Sequence, residues 1–129
     1  MRCMEAKQLL DNSSTFAVIG VTENKEKYGY KIYQCLKRHY KQVYGISPMY
    51  KEIDGDKIYP NLKSLSQKIE VAVFVVSPKY GYDYVQECID LGIKHLWLQP
   101  GTYDDKFLQY LDTLNIHYYL DCVLRQLNC

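Results

Sequence analysis

Along the chain, short apolar runs alternate with stretches whose apolar positions recur every three or four residues. Phe16-Ala-Val-Ile-Gly-Val21 is the first such run. Its nearly continuous apolarity marks a strand covered on both faces, as in parallel sheets. Tyr30 to Tyr40 follows, with Ile32, Cys35, Leu36 and His39 at the i, i+3, i+4, i+7 spacing of a core-facing helical stripe. Lys31, Lys37, Arg38 and Lys41 face elsewhere. Gln42 to Ile46 reads as the second strand, stopped by Ser47-Pro48, since proline cannot donate to a ladder. Val71 to Val76 is the third. A helix over 82–91 comes next, with Val85, Cys88 and Ile89 as its stripe and Gly92 as its C-terminal stop. His95 to Leu98 and His117 to Leu120 make strands four and five. Between them Asp104 to Leu114 is helical, with Phe107, Leu108, Leu111 and Leu114 inward.

Short helices are predicted at Met4 to Asn12 and Val123 to Leu127. Met49 to Pro60 is a long excursion with a tight-turn signal at Asp54-Gly55 and a short extended piece at Lys57 to Pro60. Asn61 to Gln67 offers one or two helical turns, with Asn61 as N-cap and Leu62 and Leu65 inward. The regular alternation of strands and helices predicts an α/β protein of three layers, with a central parallel sheet of about five strands. The 129 residues fit a single domain, 1–129.

Composition narrows the function. Sixteen basic residues face 15 acidic ones, and no long run of one sign occurs, which argues against nonspecific nucleic-acid binding. Anion binding would have to come from local geometry. The longest apolar run, Val71 to Val76, is too short to span a bilayer, and the N-terminal residues lack the apolar core of a signal peptide. No membrane association and a cytoplasmic location are expected. Five cysteines without a Cys-x-x-Cys pair suggest neither a zinc site nor a disulfide framework. Cys35 and Cys88 are expected as buried free thiols.

In open parallel sheets ligands bind beyond the carboxyl ends of the strands, where strand order reverses. After the first strand come Gly20, Val21 and Thr22, then Tyr28, Gly29 and Tyr30 at a helix start. Gly20 allows close approach to the backbone, and the free N–H groups of a helix N-terminus attract a phosphate. After the second strand come Ser47, Pro48 and Lys51; after the third, Val76, Ser77, Pro78 and Tyr80; after the fourth, Gln99 and Gly101. Lys27 and Lys51 read first as solvated surface lysines, and near a phosphate loop either could pair with an anion. The set is rich in hydroxyls, small residues and rings and poor in acid–base groups, which suits holding a nucleotide better than transforming one. Neither a Gly-x-Gly-x-x-Gly nor a P-loop is present. No acidic residue ends the second strand to hold an NAD ribose, which argues against a dehydrogenase. His39, His95 and His117 fall on a helix stripe or at strand starts and are assigned structural roles. Cys122 has no identifiable base beside it. Asp104 and Asp105 suit a helix N-terminus.

These residues resemble the small stand-alone CoA-binding proteins, whose fold is shared with the CoA-binding domain of the succinyl-CoA synthetase alpha subunit. The resemblance is carried by Phe16 to Gly20, Gly29, Ser47-Pro48, Gly55, Tyr59-Pro60-Asn61-Leu62, Val71 to Val76 and Asp121. Its most specific part is Gly92-Ile-Lys94-His-Leu-Trp97-Leu-Gln99-Pro-Gly101. Ser47 stands where the family has Asn, and Asp121-Cys122-Val123 replaces Asp-Arg-Cys. The resemblance implies a Rossmann-like fold and a CoA or acyl-CoA ligand. It puts the pyrophosphate at Gly20, Val21, Thr22 and Tyr28 to Tyr30. The adenine and 3′-phosphate would lie near Ser47, Pro48 and Lys51. The adenosine or the start of the pantetheine arm would lie against Val76, Ser77, Pro78 and Tyr80, and the arm near Gln99 and Gly101.

The expected function is CoA or acyl-CoA binding without catalytic activity of its own. Three alternatives stand beside it: an NAD(H)-type redox-sensing module, a small enzyme using Cys122 or the thioester of bound CoA, and a subunit docking on a larger acyl-CoA enzyme. Self-association is left open.

Overall fold

A computed structural model describes residues 3–129. Helix α1 (Cys3–Asn12) leads into strand β1 (Thr15–Ile19), helix α2 (Tyr28–His39) and strand β2 (Gln42–Ile46). Two short strands, β3 (Glu52–Ile53) and β4 (Asp56–Tyr59), and a single 3-10 turn at Leu62–Ser64 precede β5 (Val71–Phe74). Helix α3 (Pro78–Asp90), β6 (His95–Leu98), α4 (Asp105–Asp112), β7 (His117–Leu120) and α5 (Val123–Gln126) complete the chain. The strands form one sheet in the order β3-β4-β2-β1-β5-β6-β7. All neighbours are parallel except β3 and β4. The chain moves outward from β1 through β2 to β4, then returns to the other side of β1 at β5. Strand order therefore reverses at the β1–β5 seam.

Helices cover both faces, giving the Rossmann-like three-layer fold. Alternation along β1 sends Phe16 and Val18 to one side, where Leu10, Ile32, Leu36, Trp97 and Val123 pack. Ala17 and Ile19 point to the other, against Phe74, Val85, Leu98, Phe107 and Leu111. All five residues of β1 are buried, as its unbroken apolar run requires.

Several boundaries differ from the sequence expectation for physical reasons. The Met49–Pro60 excursion is a hairpin that extends the sheet to seven strands. Asp54 (φ 51°) and Gly55 (φ 85°) both occupy left-handed conformations, as a two-residue type I′ turn demands. Helix α3 begins at Pro78, not near residue 82. Pro78 reads as a stop after Val76, but at the first helical position its fixed φ and missing N–H cost nothing. Helix α2 starts at Tyr28, so Tyr30 lies inside its first turn. His39 is exposed at the last residue of α2, and the buried face is made by Ile32, Tyr33, Cys35 and Leu36. Ile89 is also exposed; α3 buries Gly81, Val85 and Cys88 instead.

The cysteine expectation is corrected at one position. Cys35 is not a free thiol: it is bonded to Cys129, 94 residues away, with 6.1 Å between the Cα atoms. Cys88 is buried and free, and burial pushes its thiol pKa far up. The pairing escaped sequence reasoning because an odd cysteine count at irregular spacings carries no connectivity.

Candidate functional site

A cleft of about 840 Å³ lies beyond the carboxyl ends of the strands, at the reversal beside β1. Its size is ordinary for a small-molecule site. Four loops wall it. The loop after β1 contributes Gly20, Val21 and Thr22, and leads through Glu26 and Lys27 to Tyr28 and Gly29. The loop after β2 adds Ser47, Pro48, Met49 and Tyr50. The β5–α3 junction supplies Val75, Val76 and Ser77, with Tyr80 and Tyr84 on α3. The loop after β6 supplies Gln99, Pro100, Gly101 and Thr102.

Backbone geometry explains the first wall. Gly20 has φ +102°, and a Cβ there would sit 2.8 Å from the Val75 carbonyl oxygen. Its N–H donates to the Ile46 carbonyl at 2.9 Å, extending the ladder one residue past β1. Gly29 is closer still: a Cβ would meet the Gly20 carbonyl oxygen at 2.2 Å. The first turn of α2 thus lies directly on the end of β1, which only a pair of glycines allows. The intervening loop is held by its own polar groups. Thr22 Oγ1 accepts from Asn24 N and lies 3.1 Å from the Tyr50 hydroxyl, while Asn24 Oδ1 accepts from Glu26 N.

Two helix N-termini border the cleft, and neither is capped by a side chain. Lys27 precedes α2 and Ser77 precedes α3, each without a side-chain cap hydrogen bond. By contrast Asp104, outside the cleft, caps α4 by accepting from Phe107 N at 2.8 Å. The uncapped starts offer N–H donors and the positive ends of two helix dipoles to the cleft. Tyr28 (62% exposed), Met49 (82%) and Tyr80 (57%) stand on its rim. These are large apolar groups left in water around the cleft mouth.

Gln99 and Asp121 anchor the wall after β6. Gln99 is buried, and its Oε1 accepts from Trp97 Nε1 at 2.9 Å and from Val123 N at 2.7 Å. Its carbonyl accepts from Thr102 Oγ1 at 2.7 Å. The Trp-x-Gln spacing therefore ties β6 to α5. Asp121 is buried as well. Burial pushes its pKa up, but hydrogen bonds from Arg125, Cys122 N and Gln126 outweigh this and hold it below the ordinary value. Arg125 Nη2 lies 2.5 Å from Asp121 Oδ1. A guanidinium one helical turn later thus serves Asp121, although no arginine follows it directly.

Of the residues selected from sequence, Gly20, Val21, Thr22, Tyr28, Gly29, Ser47, Pro48, Val76, Ser77, Tyr80, Gln99 and Gly101 line this cleft. Tyr30, Lys51 and Pro78 do not. Tyr30 points away from it, its hydroxyl donating to Asp54 Oδ2 at 2.6 Å on the β3–β4 turn. That hydrogen bond to a carboxylate also raises the phenol pKa. Lys51 is exposed in the same excursion. Pro78 is spent in starting α3. Tyr50, Val75, Tyr84 and Thr102 line the cleft without having been singled out. Tyr84 was legible once α3 starts at Pro78, since it then lies i+4 from Tyr80 on one helix face. Cys122 is not among the lining residues.

A second hollow, of about 820 Å³, lies at the opposite end of the strands and contains Glu70, His95, His117 and Tyr119. The two imidazoles stack at 5.3 Å, and His95 Nδ1 lies 3.1 Å from the Tyr119 hydroxyl. Burial, then the neighbouring His117, lowers the His95 pKa. Glu70 is committed to structure: its Oε1 accepts from the backbone N and hydroxyl of both Ser14 and Thr15.

The strand order, its reversal beside β1 and the cleft at that point define a Rossmann-like α/β domain with a cleft at the switch point. The chain belongs to the CoA binding domain family, whose profile matches residues 14–128. It is 30% identical over 84 residues to the alpha subunit of acetate–CoA ligase (ADP-forming) II from Pyrococcus furiosus. That match covers 64% of this chain but 18% of the relative, so the chain spans less than a fifth of that protein's length. A conserved hypothetical protein from Pyrococcus furiosus is structurally similar, with a TM-score of 0.80 and 31% identity, over 88% of this chain and 98% of that one. A hypothetical protein from Pyrococcus horikoshii gives a TM-score of 0.88 at 27% identity, over 98% of this chain and 89% of that one. Among the described residues no helix is long and apolar enough to cross a membrane.

Proposed function

We propose that the chain binds CoA or an acyl-CoA in the β1–β5 cleft and has no catalytic activity of its own. The observation that carries this is the pair of uncapped helix starts meeting the Gly20 turn in one cleft, in a chain of the CoA binding domain family. The pyrophosphate lies against Gly20, whose own N–H is spent on the Ile46 carbonyl, and takes the N–H groups of Val21 and Thr22 and of the Tyr28–Gly29 turn, with Lys27 as the nearby cation. Ser47 and Pro48 border the adenine and 3′-phosphate. Val76, Ser77 and Tyr80 flank the adenosine and the start of the pantetheine arm, which passes Gln99 and Gly101. Tyr30, Lys51 and Pro78 take no part.

The lack of catalysis rests on the lining. Among the described residues its only ionisable side chains apart from tyrosines are Glu26 and Lys27, both in the exposed loop before α2. Neither is buried, so neither has the environment that tunes a general acid or base. Docking on a larger acyl-CoA enzyme is a second reading, favoured by the exposed Tyr28, Met49 and Tyr80 around the cleft mouth. An NAD(H) module is disfavoured because Ser47, not a carboxylate, follows β2.

Isothermal titration tests the reading. Saturable CoA binding that NADH competes for only weakly is expected, and no detectable binding at millimolar CoA refutes it. Release of free thiol from acetyl-CoA at a rate proportional to protein would refute the claim of no catalysis.

A further inference from the structure

Helix α2 carries Cys35 and His39 four residues apart, which places them on one helical face. Cys129, beyond α5, comes back to the same spot. Its Sγ lies 3.8 Å from His39 Nε2 and is bonded to Cys35. The ligand atoms of Cys35, His39 and Cys129 all lie within 4.8 Å of one another. Cys35 is fully buried, whereas His39 and Cys129 are exposed, so the cluster has an apolar floor and an open side.

Two thiolates and an imidazole are the donor set of a borderline-soft d10 cation. In a tetrahedral site with the usual Zn–S and Zn–N bond lengths, neighbouring ligand atoms stand roughly 3.4–3.8 Å apart. The Cys129–His39 separation already has that value. The change required is the opening of the Cys35–Cys129 bond to a similar spacing. A Cα separation of 6.1 Å permits it by side-chain rotation.

We propose that Cys35, His39 and Cys129 form a redox-gated zinc site that holds Zn2+ as a dithiolate–imidazole centre when reduced and expels it on closing the disulfide. On loading, the two thiols lose their protons, the sulfurs and His39 Nε2 bind the ion, and a water takes the fourth position on the open side. Unloading needs an oxidant, and a low-molecular-weight disulfide supplies it. One thiolate attacks the small disulfide, forming a mixed disulfide and releasing one small thiolate. The second protein thiolate then closes the Cys35–Cys129 bond and releases the other. Two protons are taken up by the leaving thiolates, and Zn2+ departs. The site lies on the far end of α2 from the cleft and is independent of the CoA reading.

The full chain, reduced with a phosphine and freed of it, is titrated with Zn2+ alone against a chromophoric chelator, beside the oxidised chain. One Zn2+ per reduced chain is expected, with affinity at least ~100-fold above the oxidised chain, because the thiolate ligands exist only after reduction. Co2+ should give a thiolate-to-metal charge-transfer band in the reduced chain only. Cys129→Ser should abolish the band, His39→Ala should weaken binding by ~10-fold or more, and Cys122→Ser should change neither. Both ligand variants alter exposed side chains, and their folds are checked by circular dichroism. Equal zinc affinity in the two redox states, which the His95–His117 pair would produce, overturns the proposal. So does a Cys129→Ser protein that keeps the band, or a reduced chain that binds no zinc, in which case Cys35–Cys129 is a staple only.

Discussion

Gly29→Ala tests whether the contact between the start of α2 and the end of β1 builds the proposed anion site. The new Cβ would stand 2.2 Å from the Gly20 carbonyl oxygen, more than 1 Å inside ordinary contact. The obstacle is backbone, and Gly20 is held in place by its N–H, which donates to the Ile46 carbonyl at 2.9 Å. Helix α2 must therefore lift. Overpacking of this kind costs about 1–3 kcal/mol, against up to ~1 kcal/mol gained from alanine's helix propensity. The net destabilisation is about 0–3 kcal/mol, and each kcal/mol lowers Tm by roughly 3–6 °C at this size. The effect on binding should be larger than the stability loss implies. An N–H group displaced by an ångström loses its hydrogen bond to a charged phosphate, worth about 1.5–3 kcal/mol, or roughly ten- to hundredfold in Kd. Gly92→Ala is the control. Gly92 has φ +74° with open space around it, so alanine there costs about 1–2 kcal/mol of left-handed backbone strain and moves no part of the cleft. Calorimetric titration with CoA and thermal melts of both variants separate the effects. Wild-type CoA affinity in Gly29→Ala, or equal weakening in Gly92→Ala, refutes the reasoning.

Gln99→Ala orphans two buried donors, Trp97 Nε1 and Val123 N, and should destabilise by about 2–4 kcal/mol in urea unfolding followed by the fluorescence of the single tryptophan. Cleaving Cys35–Cys129 opens a cross-link spanning 94 residues and should cost roughly 2–4 kcal/mol. Metal-free wild type should thus melt lower in reductant, while Cys129→Ser melts alike with and without it. Glu70, lowered first by its bond from Ser14 N, and Asp121 both have depressed folded pKa values. Their contribution is full above the ordinary values of 4.5 and 3.8 and is lost as pH falls through the folded ones. The acid limb of the stability–pH curve should therefore lie below about pH 4.5, and Glu70→Gln should flatten it.

The strands were the most legible elements. Gln42–Ile46, His95–Leu98 and His117–Leu120 fall where the apolar pattern puts them, because each is bounded by turn residues or by a change of period. Helix starts were less legible, since glycine and proline carry two meanings. Gly29 reads as the residue just before a helix and Pro78 as a stop, yet Gly29 lies inside α2 and permits its close packing, and Pro78 suits the first helical position. Much of the cleft lining followed from listing what succeeds each strand, because a parallel sheet gathers those loops at one edge. Tyr50 and Thr102 lay just past the residues that drew notice. Cys35 shows where periodicity ends: the pattern gives its burial, but a partner 94 residues away leaves no local trace.

Gln99 shows why a loop residue in such a domain serves better as a joint than as a ligand. Its side chain lies in the cleft wall, yet its carbonyl oxygen Oε1 is already used by Trp97 below and by the start of α5 behind. What it can still offer a ligand is the shape of the turn, held by Thr102 Oγ1 on its own backbone carbonyl. Helix α5 is then held by Gln99 at its first residue, by Asp121 through Arg125 and Gln126, and by the Cys35–Cys129 bond just beyond its end. Four residues of helix cannot stand alone in water, so these attachments hold the segment against α2. Losing Gln99 should therefore loosen Cys129 as well as the cleft wall. Faster reduction of the disulfide in Gln99→Ala than in wild type, read by thiol titration under native conditions, is the expected sign. An unchanged rate would show that the apolar packing of α5 and its bonds to Asp121 hold it in place without Gln99.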